Sequence, residues 1–399
     1  MKTRPISRVV ATALATVLAG IGLALPAAGA TGATGTPAHG TSHGKALQAG
    51  VDAIMRTGTV GVVARSTDPR GSRYATGGVA DRATGAAVRP GDRFRIASAG
   101  KTFVATVILQ LVGEGRLSLD DTVEHWLPGV VSGHGNDGGA ITVRQLLQHT
   151  SGLFDYTADF PEFASTAGYQ ADRYRTWTPE QLVAVAMRHA PGFAPGEGWS
   201  YSNTNYIVAG MIIQKVTGHT WNEEVTRRLI RPLGLRDTLA PTTDPRIPGR
   251  HLRGYSSFEE AGPAIDTTEL NASAGGAAGA MISTTADLTR FYRALLGGRL
   301  LRPAELTAMR TTVPAPELEP GWPGVRYGLG LMSVPLSCGG VYYSHGGDLP
   351  GYTTRNGISG DGLRTVVLNS TGDGSSGDGS SDSSTQQTQN ALIDDELCA

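Results

Sequence analysis

A serine and a lysine three residues apart, Ser98 and Lys101, open an apolar stretch that runs from Phe103 to Val112. On a helix such positions share a face, so the amine reaches the hydroxyl. A lysine kept from water gives up its proton more readily, and the neutral amine can then take the serine proton and release a nucleophilic alkoxide. The helix N-terminus adds free N–H groups and a positive dipole end where negative charge develops. An isolated Ser-x-x-Lys match is usually a surface pair, but a helix apolar on every side leaves Lys101 no surface to occupy. Lysine is also scarce: Lys2, Lys45, Lys101 and Lys215 are the four in the chain.

Two further groups fit the same chemistry. Tyr201-Ser202-Asn203 follows a turn-rich run, Pro195 to Ser200. A tyrosine near a lysine cation has its phenolate favoured and can shuttle protons, and an asparagine offers donor and acceptor to a substrate amide. His345-Gly346-Gly347 follows the strand-like Val341 to Ser344. Its glycines leave a strand edge bare, so a substrate backbone can pair with it. Alone, the first is a capping asparagine with a half-buried tyrosine and the second a bulge with a chance histidine.

Two sets look catalytic and are not read so. Ser42 matches both a Gly-x-Ser-x-Gly elbow and a second Ser-x-x-Lys with Lys45, but it lies in a segment without the strand and helix that an elbow needs. His149-Thr150-Ser151-Gly152 reads as a structural turn.

The elements that must position these groups follow from periodicity. Thr59 to Arg65 and Ser72 to Val79 read as a hairpin, and Arg93 to Ile96 as a short edge segment. Helices are expected at Phe103–Val112, Val143–His149, Pro179–His189, Tyr206–Thr217, Trp221–Arg228, Ala286–Leu296 and Pro303–Met309. Strand character returns at Gly328–Val334, Val341–Ser344 and Leu363–Asn369, and a last helix covers Gln386–Leu397. The fold class is therefore α+β. An antiparallel sheet drawn from both chain ends (about 45–96 and 320–399) is flanked by helices, with a helical lobe (about 97–319) inserted between them and the site in the cleft.

Composition bounds the rest. With 399 residues and 40% hydrophobic side chains the chain can bury a full core. Residues 1–30 read as a secretory signal: Lys2, Arg4 and Arg8, an apolar run from Val9 to Leu25, then Ala28-Gly29-Ala30. Residues 31–44 read as a flexible linker and 372–384, all Gly, Ser, Asp and Thr-free, as a solvated insertion. Of 34 basic residues three lie in the signal, which leaves 31 against 35 acidic ones, so nothing attracts nucleic acid. No membrane anchor is expected after cleavage, and the protein is expected to be secreted. Cys338 and Cys398 fit a single disulfide in an oxidising compartment. No metal or cofactor is assigned.

As a set, Ser98-x-x-Lys101, Tyr201-x-Asn203 and His345-x-Gly347 resemble the motifs of the serine β-lactamase and penicillin-binding superfamily. The likeness is nearest to D-alanyl-D-alanine carboxypeptidases and class C β-lactamases. Phe94 to Ser98, Gln148 to Leu153 and Gly276 to Thr284 look like its signatures too. The resemblance runs from about Lys45 to the C-terminus. It implies Ser98 as nucleophile, Lys101 and Tyr201 as the proton-handling pair and Asn203 as the substrate-amide ligand. It also implies His345 in the place of a lysine, with Gly346 and Gly347 as the edge beside it, and an oxyanion hole from the N–H groups of Ser98 and Asp348. The expected activity is DD-carboxypeptidase-like acyl transfer on a peptidoglycan-type peptide or other small acyl substrate, with β-lactams as acylating ligands. A β-lactamase, an esterase or a silent penicillin- or cell-wall-binding protein are the alternatives. His-Gly-Gly in place of Lys-Thr-Gly makes the lactamase the weaker one.

Overall fold

Side chains of the central strands alternate between two cores, and that alternation sets the architecture. In the computed structural model, which describes residues 40–160, 163, 165–259, 262–372 and 383–399, Gly61–Asp68 (β1) lies between Gly71–Asp81 (β2) and Thr365–Thr371. Val62 and Ala64 of β1 point into one apolar cluster and Val63 into the other. The first cluster is closed by the helix Gly40–Met55 (α1), through Leu47, Val51 and Ile54, and by the C-terminal helix, through Leu392, Ile393 and Leu397. The second holds the helical lobe.

The remaining strands are Ala86–Ala87 (β3), Phe94–Arg95 (β4), Ile282–Ser283 (β5), Val313–Pro314 (β6), Arg326–Tyr327 (β7), Met332–Pro335 (β8), Val341–Ser344 (β9), Gly347–Leu349 (β10), Tyr352–Ser359 (β11) and Thr365–Thr371 (β12). Ten form one antiparallel sheet in the order β6-β7-β8-β9-β11-β12-β1-β2-β3, with β10 paired to β11. β4 pairs with β5 apart from it. Both chain ends thus meet at the sheet centre, as the α+β reading requires. Two short pairs, Ser132–Gly133 with Asn136–Asp137 and Tyr255–Ser256 with Ile265–Asp266, lie in the helical part.

Several expectations shift. α1 begins at Gly40, so residues 40–44 of the segment read as linker are helical. β11 and β10 were not expected, nor was β6 at 313–314. The segments 1–39 and 373–382, which carry the stretch read as a signal, most of that read as a linker and most of that read as a solvated insertion, lie outside the described residues. Among the described residues no helix is long and apolar enough to cross a membrane.

Cys338, in the turn between β8 and β9, is bonded to Cys398 at the end of the C-terminal helix, 60 residues on. A crosslink closing that span stabilises by roughly 4 kcal/mol in the chain-entropy model. Reduction is therefore expected to lower the melting temperature of the purified protein, and Cys338→Ser with Cys398→Ser to reproduce the shift. Unchanged melting on reduction, or two free thiols in non-reducing peptide maps, contradicts this.

Candidate active site

The nucleophile candidate sits where a 3-10 turn, Ala97–Gly100, becomes the helix Lys101–Gly113 (α2). In a 3-10 turn residues three apart eclipse one another. That stacking brings Lys101 Nζ to 2.9 Å from Ser98 Oγ. Residues 101–109 and Leu111 of α2 are all buried, so the lysine is driven inside by the apolar helix that carries it. Ala97 just before the serine is held at φ +48°, a region costly for alanine and tolerated only where surroundings over-determine it.

Two more acceptors fix the amine. Lys101 Nζ donates to Asn203 Oδ1 at 2.7 Å and to the Ala278 carbonyl at 2.8 Å. Asn203 opens the helix Asn203–Thr217, directly after the Tyr201 loop. Its Nδ2 donates to Asp155 Oδ2 at 2.9 Å. Both ends of the amide thus have protein partners, and Asn203 anchors Lys101 as well as lining the cavity. Ala278 belongs to the short helix Gly276–Gly279. Asp155 was not singled out from the sequence. It stands two residues after Leu153 of the His149–Gly152 turn, and one carboxylate in a loop carries no readable signal.

Burial sets the electrostatics. Removal from water lowers the Lys101 amine to about 7, and the nearby Asp155 charge opposes that only in part. Asp155 is itself raised by burial, against the hydrogen bonds from Thr157. Tyr201 is pushed well above its ordinary value, chiefly by burial, with the Ser98 hydroxyl opposing. The expectation of a favoured Tyr201 phenolate is not supported: loss of water raises the phenol, the Asp155 and Asp348 charges add to that, and Lys101 Nζ lies 5.0 Å from the ring centroid. Tyr201 is thereby held toward the protonated phenol, which can donate or relay a proton.

His149 ends the helix Val143–Gln148 in a left-handed conformation, φ +62°, in keeping with a structural turn. Its buried ring also stacks on Tyr201, centroids 4.3 Å apart, and Nδ1 accepts from the Ser202 N–H at 3.2 Å. The turn therefore holds the tyrosine loop from below.

The third motif differs most from expectation. His345 is buried; Nδ1 is 2.7 Å from the Gly346 carbonyl and Nε2 2.7 Å from the Tyr327 hydroxyl. Nδ1–H donates to the carbonyl, so Nε2 accepts from the phenol. Burial, and then the Lys101 charge, lower this ring to about 3, so it is neutral. The cavity at Ser98, about 90 Å³, is lined by Ala97, Tyr156, Phe163, Asn203, Asp348 and Leu349 among others, but not by His345, Gly346 or Gly347. His345 is absent from that lining, as Lys101 and Tyr201 are, and both of its ring nitrogens are taken by protein partners. Gly347 is bare for a different reason: a Cβ there would lie 2.1 Å from the Ile96 carbonyl and 3.0 Å from Ser98 N. The glycine lets β10 press against the nucleophile turn. Gly347→Ala is expected to displace that turn and cost roughly 10²-fold in turnover, since errors near 1 Å have that effect. Labelling of Ser98 at the native rate contradicts this.

Of the third motif's surroundings, Asp348 reaches the cavity, and its carboxylate is held by Arg355 Nη1, 3.0 Å from each oxygen. No group of three His, Cys, Asp or Glu side chains among the described residues is placed to hold a metal. A buried amine lowered to about 7, and so able to lose its proton near neutrality, can carry out nucleophilic acyl transfer when it lies on a hydroxyl beside a phenol and a small cleft.

Residues 45–389 match the family described as Beta-lactamase. A D-stereospecific amidohydrolase from Streptomyces sp. is 44% identical, with a TM-score of 0.79 over 89% of this chain and 98% of that one. D-amino acid amidase from Ochrobactrum anthropi SV3, complexed with L-phenylalanine amide, is 30% identical, with a TM-score of 0.78 over 89% and 97%. Penicillin-binding protein 4 from Amycolatopsis lactamdurans is 30% identical over 59% of this chain and 61% of its own length. The chain thus spans under two thirds of that curated relative.

Proposed function

The chain belongs to the β-lactamase family of serine hydrolases, and from that premise we propose that it hydrolyses D-configured amino-acid amides and short D-peptides through an acyl-enzyme on Ser98. Neutral Lys101 takes the Ser98 proton as Oγ attacks the amide carbon. The N–H groups of Ser98 and Asp348 receive the oxyanion. The tetrahedral adduct expels its nitrogen, which is protonated through Lys101 and the Tyr201 phenol. Water then attacks the ester, giving up a proton by the same route, and Ser98 is regenerated.

The observation that carries this reading is that, among the described residues lining the Ser98 cavity, there is no arginine or histidine, and the cation at hand, Lys101, is already held by Ser98, Asn203 and the Ala278 carbonyl. A terminal carboxylate, as in a D-Ala-D-Ala peptide or a penicillin, finds no second counter-charge in that lining. A neutral carboxamide needs none. The Streptomyces and Ochrobactrum relatives agree in acting on D-configured compounds by their names. The D-Ala-D-Ala carboxypeptidase reading is the second, favoured by the penicillin-binding relative. Secretion is proposed with it, since a disulfide persists in oxidising compartments.

Specificity constants on one preparation, with Ser98→Ala as blank, decide between them. D-amino-acid amides are expected to exceed their L-enantiomers and acyl-D-Ala-D-Ala, with slow acylation by penicillins and poor turnover of cephalosporins. Small activated esters should react as well. A tenfold preference for the carboxylate-bearing peptide establishes the carboxypeptidase; the same preference for β-lactams establishes a lactamase.

A further inference from the structure

A second cavity, about 390 Å³, gathers four arginines and shares no lining residue with the Ser98 cleft. Arg290 and Arg293 come from one face of the helix Thr285–Leu296, with Ala286 and Thr289 before them. Arg299 follows that helix, Arg65 comes from β1, and the turn Asp361-Gly362-Leu363 between β11 and β12 closes the wall. Strand β1 and the helix with its following residues thus converge their cations, and the turn adds a carboxylate, Asp361.

The carboxylates nearby are already engaged. Asp361 Oδ1 accepts from the Ser359 hydroxyl at 2.5 Å and the Leu363 N–H at 2.9 Å. Asp287, one turn from Arg290, accepts from the Asp237 N–H and the Thr238 hydroxyl. Arg290 donates to the Gly234 carbonyl, and Arg65 to Thr67 and Ser72. The side chains of Arg293 and Arg299 have no hydrogen-bond or ion-pair partner among the described residues. Arg65 is lowered from its ordinary value by burial and then by the charges of Arg290 and Arg293. In a chain of net charge −1, four such cations are held together against their mutual repulsion.

Guanidinium forks match phosphate oxygens in pairs, and several around one cavity suit a ligand with more than one negative charge. We propose that this cavity binds a phosphorylated ligand carrying at least two negative charges, of the size of a pyrophosphate or a phosphomonoester with its carrier. Occupation neutralises the repulsion, so binding stabilises the fold.

Pyrophosphate is the probe. It is expected to raise the melting temperature of the purified protein above sodium chloride of equal ionic strength, with saturable binding by calorimetry. Arg293→Gln with Arg299→Gln should weaken that binding by roughly tenfold or more for each fork removed, while Ser98 labelling stays unchanged and melting in chloride is equal or higher, since repulsion is relieved. Arg290→Gln with Arg299→Gln is a second variant should the first melt low. Sedimentation with phosphatidic acid vesicles, lost in the variant, identifies a lipid headgroup as the source; pyrophosphate binding without vesicle binding identifies a soluble phosphate ester. A shift no larger than chloride gives, equal binding by the variants, or equal affinity for a tricarboxylate such as citrate overturns the proposal.

Discussion

Replacement of Ser98 by alanine is expected to reduce amide turnover by about 10⁴-fold or more and to abolish covalent labelling, the scale seen when a nucleophile that acts as a unit with its base is removed. The expectation rests on geometry: Ser98 Oγ is 2.9 Å from the Lys101 amine and lines the cleft beside Asn203 and Asp348. Because the substitution deletes one half-exposed oxygen, the fold should persist, and unchanged melting separates lost chemistry from lost structure. Mass spectrometry of protein treated with an activated serine probe should find the adduct on Ser98 and not on Ser42. Label retained in Ser98→Ala, or mapped to Ser42, ends the acyl-enzyme assignment.

The pH dependence of acylation is expected to follow Lys101. Its amine is lowered to about 7, and the reaction consumes the neutral form. The rate should therefore rise about tenfold per unit below that value and level off above it. His345, lowered to about 3, and His149, lowered well below its ordinary value, are both neutral across that range, and Tyr201 stays protonated. One inflection near 7 is thus assigned to one residue. Lys101→Arg keeps a charge at every working pH, so it should lose roughly 10²–10⁴-fold and the inflection together. A profile falling through neutrality, or an inflection that survives Lys101→Arg, assigns the base elsewhere.

What was legible in the sequence was what periodicity and local spacing encode. The buried helix α2 declared itself by apolar residues on every side, and it dictated both the Ser98–Lys101 contact and the lysine's burial. The hairpin β1–β2 showed its strand pattern, and so did β9 and β12. α1 carried a signal that went unread: Leu47, Val51 and Ile54 repeat at helical spacing, in a stretch that begins inside Gly- and Ser-rich sequence. β11 carried none. Tyr352–Ser359 is a central buried strand built from Thr353, Thr354, Arg355 and Asn356, and its polar groups are paid for by partners distant in sequence. Asn356 bonds both the N–H and the carbonyl of His345, and Arg355 bonds Asp348. No hydrophobic pattern announces such a strand.

By itself, then, the sequence determined the Ser98–Lys101 pair proposed as nucleophile and base, and the sheet drawn from both chain ends, because helix periodicity and three-residue spacing are local geometry. Only the tertiary structure decided the state of each group. Burial held Tyr201 toward the protonated phenol where charge proximity alone favoured a phenolate. The Tyr327 hydroxyl and the Gly346 carbonyl fixed His345 as a neutral ring with both nitrogens engaged. The approach of β10 to the Ile96 carbonyl required glycine at 347. Asn203 was drawn into the Lys101 anchor by Asp155, and the four arginines of the second cavity came together from residues 65, 290, 293 and 299. Each of these depends on which distant groups exclude water or supply a partner, and that is fixed by packing across the fold, which spacing along the chain does not record.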